Sequence, residues 1–117
     1  MKHEIDSEKL VQIILNAAED KKAIDPVVLD IRRLNQFADF MVIVSGDSSP
    51  QLRAIAKEIE FRVKKLGIKG IVWEGDLDSG WLIFDTGSIL AHVMAEDERA
   101  YYKLEELWGK EAIVFHG

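Results

Sequence analysis

The strongest constraint on the fold is the run Phe40-Met41-Val42-Ile43-Val44, which Ser45 and Gly46 close. A strand with one wet face alternates apolar and polar residues. An unbroken apolar run needs cover on both faces, so this segment belongs in the middle of a sheet inside a layered fold. Ser48-Ser49-Pro50 follows at once. A serine there caps a helix, and proline suits the first turn, where its missing N–H costs nothing. Leu52, Ile55, Ala56, Ile59, Val63 and Leu66 then form one apolar stripe at helical spacing. Lys64 and Lys65 fall in the last turn, and Gly67 stands where a left-handed residue ends a helix.

The flanking segments fill in the rest. Asp6-Ser7-Glu8 offers a cap, and Leu10, Val11, Ile14, Ala17 and Ala18 give a first helix over residues 7–21. Asp25-Pro26 breaks the chain before a β-branched strand at 27–31, and residues 32–38 connect to the central run. Further strands are read at 71–73, 81–85 and 89–94, and a third helix at 97–108. Ile113-Val114-Phe115 reads either as a short edge strand or as a packed tail. The predicted order is α-β-β-α-β-β-β-α. That is an α/β domain of α+β character, with a mixed five-stranded sheet and helices mainly on one face. Residues 1–117 form one domain, with a core at about 7–108, because 117 residues suffice for one core and not two.

Composition narrows the function. Hydrophobic residues make up 48% and charged residues 31%, the balance of a chain that folds. The net charge of −6 argues against gripping nucleic acid mainly through phosphates and leans toward a basic protein partner. No cysteine is present, which removes thiolate chemistry and Cys-ligated metal. Met1-Lys2-His3-Glu4-Ile5-Asp6 is no secretory signal, and no apolar run is long enough for a membrane span, so the cytoplasm is the expected setting.

The two strands around Asp85-Thr86-Gly87-Ser88 read as a hairpin. With Thr86 and Gly87 as its turn, Asp85 opposes Ser88 and Trp81 opposes His92. Side chains alternate along a strand. One face then carries Leu82, Phe84, Ile89, Ala91 and Val93, which is a core face. The other carries Trp81, Ile83, Asp85, Ser88, Leu90, His92 and Met94. An apolar face of that kind is an interaction site if left open and ordinary core if a helix covers it.

Chemistry-bearing constellations are thin. Gly46-Asp47-Ser48-Ser49 leads from strand to helix, as an anion site can, and Glu74, Asp76, Asp78 and Asp85 are carboxylates that magnesium would use. The plainer reading makes the serines caps and the acids loop residues. Ser45 or Ser48, His92 and Asp85 would have to meet for a nucleophilic triad, and His3 and His116 lie near the termini. No catalytic residue, metal or cofactor is expected. In the third helix Tyr101, Leu104, Leu107 and Trp108 read as a packing stripe, with Tyr102, Glu105 and Glu106 toward the outside.

These residues resemble a known family. Residues 39–46 with Ser48 and Ala54-Ile55-Ala56 look like the first block of the ribosome silencing factors, the Iojap-like family. Glu74-Gly75, residues 80–87 and His92-Val93-Met94 look like the second. Glu98-Arg99, Tyr102, Leu104-Glu105 and Leu107-Trp108 look like the third, so the likeness runs from about Leu10 to Trp108. The resemblance implies a fold distantly similar to nucleotidyltransferases without their catalytic set. It implies docking on ribosomal protein fourteen of the large subunit, which blocks joining of the small subunit and represses translation when nutrients are scarce. Direct contact with nucleic acid would be slight, no membrane is involved, and the chain would be a monomer or weak homodimer. The residues expected to bind the partner are Trp81, Asp85, Leu90, His92, Met94, Tyr102, Glu105 and Trp108. Trp81 would be the anchor, while Asp85 and Glu105 would pair with the partner's cations. The competing readings are a nucleotide-binding enzyme, a ribosome assembly factor and a homodimer that hides its apolar face.

Overall fold

A computed structural model describes residues 5–34 and 36–117. The elements run α1 (Ser7–Asp20), β1 (Ile24–Asp30), β2 (Phe40–Gly46), α2 (Ser49–Lys64), β3 (Val72–Asp76), β4 (Trp81–Asp85), β5 (Ile89–Ala95), α3 (Glu96–Tyr102), α4 (Leu104–Leu107), a 3-10 turn (Lys110–Ala112) and β6 (Ile113–His116). The strands form one sheet in the order β3-β4-β5-β2-β1-β6. β2 pairs parallel with β5 and every other pairing is antiparallel, so the sheet is mixed. The apolar run is indeed central, and every residue of β2 is buried.

The two faces are covered differently. Leu10, Ile14, Leu15 and Ala18 of α1, with Leu52, Ile55, Ile59 and Val63 of α2, pack on Val42, Val44, Phe84, Ala91 and Val93. Ser48 caps α2 by accepting the Gln51 N–H at 3.2 Å, and Asp6 caps α1 by accepting the Glu8 N–H. On the opposite face Val27, Leu29, Met41, Ile43 and Met94 meet Leu104, Trp108 and Ala112 from the C-terminal segment.

Three expectations are corrected here. The sheet has six strands, because Val28 pairs with Phe115 and Leu29 with Ile113, so the tail protects the open edge of β1. The third helix is broken in two, because Lys103 adopts φ 49°, a left-handed conformation that costs a non-glycine residue about 1 kcal/mol or more. The hairpin turn lies one residue later than expected, at Gly87-Ser88. Thr86 N–H donates to the Ile89 carbonyl, Gly87 takes φ 96°, and Asp85 faces Leu90 while Trp81 faces Met94. The cross-strand partners therefore move by two residues. An even shift leaves each side chain on its expected face, and Phe84, Ile89, Ala91 and Val93 do enter the core beneath the long helices.

Candidate partner-docking surface

The antiparallel pairing of β4 with β5 places Trp81, Ile83, Asp85, Leu90, His92 and Met94 on one face of the hairpin. That face is not open. Met94 is fully buried and His92 is only 6% exposed, while Trp81, Asp85 and Leu90 are half-buried. The cover is the chain's own C-terminal segment, whose Leu104, Trp108 and Ala112 join Met94 in one apolar cluster. The expected bare sheet surface is thus corrected. Met94 and His92 lie beneath the surface, where they shape it without being presented by it.

What reaches solvent is a chain of rings. Tyr101 is 79% exposed, and its ring meets that of Tyr102 edge-on at 4.9 Å. Tyr102, 45% exposed, lies 4.7 Å from Trp81. Trp81 lies 5.9 Å from the buried His92 and donates its indole N–H to His92 Nδ1 at 2.9 Å. Leu107 is 73% exposed. Helical spacing puts Tyr101 and Leu107 in a packing stripe only where the helix is continuous. The break at Lys103 changes the helical phase, so Leu104 and Trp108 face the sheet and Tyr101 and Leu107 do not.

Arg99 holds this segment in place. Its guanidinium, nearly buried, donates to Glu105 Oε2 at 3.0 Å from both Nε and Nη2. Nη1 reaches Ser45 Oγ at 3.1 Å and the Ile24 carbonyl at 3.4 Å. Arg99 therefore ties α3 and α4 to β1 and β2. Glu105, expected to pair with a partner's cation, is already paired within the chain. Asp85 accepts the Gly87 N–H at 2.8 Å and so braces its own turn.

The electrostatics of His92 follow from burial. Desolvation pushes its pKa down to about 4, because water is not there to solvate the imidazolium. Nδ1 accepts from Trp81, so the neutral ring carries its proton on Nε2, which is buried and has no hydrogen-bond partner among the described residues.

Among the described residues the enzyme-like constellations are not assembled. Ser48 is a helix cap and Ser45 accepts from Arg99, so neither serine is paired with His92. The cleft at Gly46 to Ser49 is walled by Asp47, Asp78, Glu96, Asp97 and Glu98 with no basic side chain, an environment that repels phosphate. Asp76 accepts the Ser79 N–H in its turn. Among the described residues no group of three or more carboxylates or histidines is placed to hold a metal ion. His3 lies outside the described residues, and His116 sits on the edge strand β6.

Fold and surface together define a small α+β domain whose prominent feature is an exposed aromatic surface on a short-helix layer. Comparison with known proteins narrows this. The sequence profile described as "Ribosomal silencing factor during starvation" (RsfS) matches residues 4–115. The chain is 40% identical to the ribosomal silencing factor RsfS of Halalkalibacterium halodurans over 103 residues, 88% of each chain. It is 36% identical to the Bacillus subtilis protein of that name, covering 90% of this chain and 89% of that one. A crystal structure of a Chromobacterium violaceum protein superposes with a TM-score of 0.85 at 31% identity, covering 91% of this chain and 89% of that one. The chain belongs to the ribosomal silencing factor family, which also includes plant proteins named Iojap.

Proposed function

We propose that this chain silences ribosomes by docking on the large subunit through the aromatic ladder and blocking, by its bulk, the joining of the small subunit. The partner would be ribosomal protein fourteen of the large subunit, and the setting the cytoplasm of a cell short of nutrients. The observation that carries the reading is the run of rings from solvent-facing Tyr101 through Tyr102 and Trp81 to buried His92. Aromatic side chains with a rigid backing lose little freedom on binding and dominate interface energetics. The surroundings suit a basic partner: residues 72–117 carry ten acidic and three basic side chains, a net −7.

Within this reading Tyr101, Tyr102, Leu107 and the exposed edges of Trp81, Leu90 and Trp108 make the contact. Asp85 stands on the rim, and His92, Met94 and Glu105 fix the surface from below. Repression is steric and needs no bond-making step. The test is co-sedimentation with purified large subunits, together with light scattering of subunit joining. Tyr102→Ala should weaken docking by about 2 kcal/mol, roughly 30-fold in Kd, and restore joining while the variant stays folded. A folded Tyr102→Ala, Trp81→Ala double variant that docks as well as the parent would sink the proposed face. Cross-links from Tyr101 to a different large-subunit protein would reassign the partner.

A further inference from the structure

The net charge of −6 conceals a segregation. Residues 49–70 carry six basic and two acidic side chains, a net +4, on a chain whose residues 72–117 sum to −7. Along α2, Arg53, Lys57, Phe61 and Lys65 recur every four residues, so they line one stripe at intervals of about 6 Å. All four are exposed, while Ile55, Ile59 and Val63 bury the other side of the helix. Lys21 and Lys22 at the end of α1 extend the stripe, because the Gln51 amide donates to both their carbonyls and holds that end beside α2. A shallow groove between them is lined by Lys21, Lys57, Phe61 and Lys64, with Glu58 and Glu60 also in its wall.

The acids of α2 are already engaged. Glu58 holds Arg62, which also holds Asp20, and Glu60 pairs with Lys64 at 3.3 Å and accepts the Trp73 indole N–H. Among the described residues no carboxylate lies within ion-pair distance of Lys21, Lys22, Arg53, Lys57 or Lys65. Amid these cations Phe61 is 58% exposed, with the Lys65 ammonium 5.2 Å from its ring centre.

We propose that this stripe binds single-stranded or looped RNA, with the cations on successive phosphates and Phe61 as a platform for one base. Unpaired cations at regular spacing around an exposed ring are how proteins hold single strands without reading sequence. The rival occupant is the acidic surface of a second copy. That surface includes the acids at the start of α2 and is distinct from the stripe, so a contact joining the two would be head-to-tail and would build rings or open chains. RNA binding here would go beyond the slight nucleic-acid contact expected from the net charge, because a whole-chain charge says little about a local field. It stands apart from the aromatic surface, and its test uses no ribosomes.

The experiment is fluorescence anisotropy of a labelled, mixed-sequence RNA of about 20 nucleotides, titrated with the full chain at several salt concentrations. The expected result is saturable binding whose log Kd rises with log salt at a slope of about 2 to 3, the release of counterions from about three to four phosphates. Arg53→Gln, Lys57→Gln and Lys65→Gln combined should lose about tenfold and cut the slope by about 2. Phe61→Ala should lose severalfold with the slope unchanged, and Trp81→Ala should bind RNA like the parent. No anisotropy change up to about 100 μM protein at low salt would overturn the proposal. So would a folded triple-Gln variant with the parent's affinity and slope. Polyglutamate displacing the RNA at equal charge concentration would mark an acidic-protein site instead. Molecular mass that climbs in the same low-salt buffer without RNA would mark self-association instead.

Discussion

The two sides of the sheet solve the same problem with different materials. One is covered by α1 and α2, 14 and 16 residues long, whose apolar stripes bury Ile14, Ile55 and Ile59 completely. The other is covered by helices of seven and four residues that contribute no buried residue of their own and depend on Leu104, Trp108 and Ala112 for packing. The first layer stands on area removed from water. The second stands on a nearly buried guanidinium, a buried neutral imidazole and pairing with a terminal strand. Stability is thus concentrated on one side, and the other is left free to present large apolar groups that a more efficient layer would have buried.

The largest expected effect falls on the long-helix side. Ile55→Ala should cost about 2 to 5 kcal/mol, because the site is fully buried and a cavity remains after truncation. Denaturant midpoints measure it, and a loss under about 1 kcal/mol would mean this layer is not the stability reservoir. Acid should act on the other side. The folded pKa of His92 lies near 4 against an ordinary 6.5, so the unfolded chain binds the extra proton first. The His92 contribution is complete above pH 6.5 and is lost as pH falls toward 4, up to about 3 kcal/mol. His92→Gln, which keeps an acceptor for Trp81, should flatten that part of the pH–stability curve. A parent curve already flat between pH 7 and 4 would contradict the buried neutral ring. The smallest effect is at the clamp. Glu105→Gln should cost about 1 to 2 kcal/mol, since Arg99 keeps Ser45 and the Ile24 carbonyl as acceptors. Amide exchange should speed up across residues 99–108 and not in α2. Uniform acceleration in both layers would mean that the two sides unfold as one.

The same contrast explains what the sequence made legible. The central strand, the capped second helix and the two hairpin faces carry strong local signals: an unbroken apolar run, a stripe with a Ser-Ser-Pro start, and strict alternation. The candidate surface depends on where short pieces stop. Lysine is a helix-favouring residue and gives no warning that Lys103 turns left-handed, so helical spacing alone misplaces Tyr101 and Leu107. The Arg99 clamp joins residues 54 and 75 positions apart in the chain, a relation that no local pattern encodes. The four-residue β6 is too short for periodicity to distinguish it from a tail.

The pairing of β6 with β1 means that the segment bearing the rings is moored at both ends, by β5 before it and by β6 after it. A bridge fixed at two abutments cannot peel away from one end. A nick at Lys103 would leave both halves attached, whereas cutting the chain after Gly109 would leave the downstream end unmoored. A fusion partner added behind Gly117 would therefore weigh on the ring surface through the bridge, although it touches none of the rings.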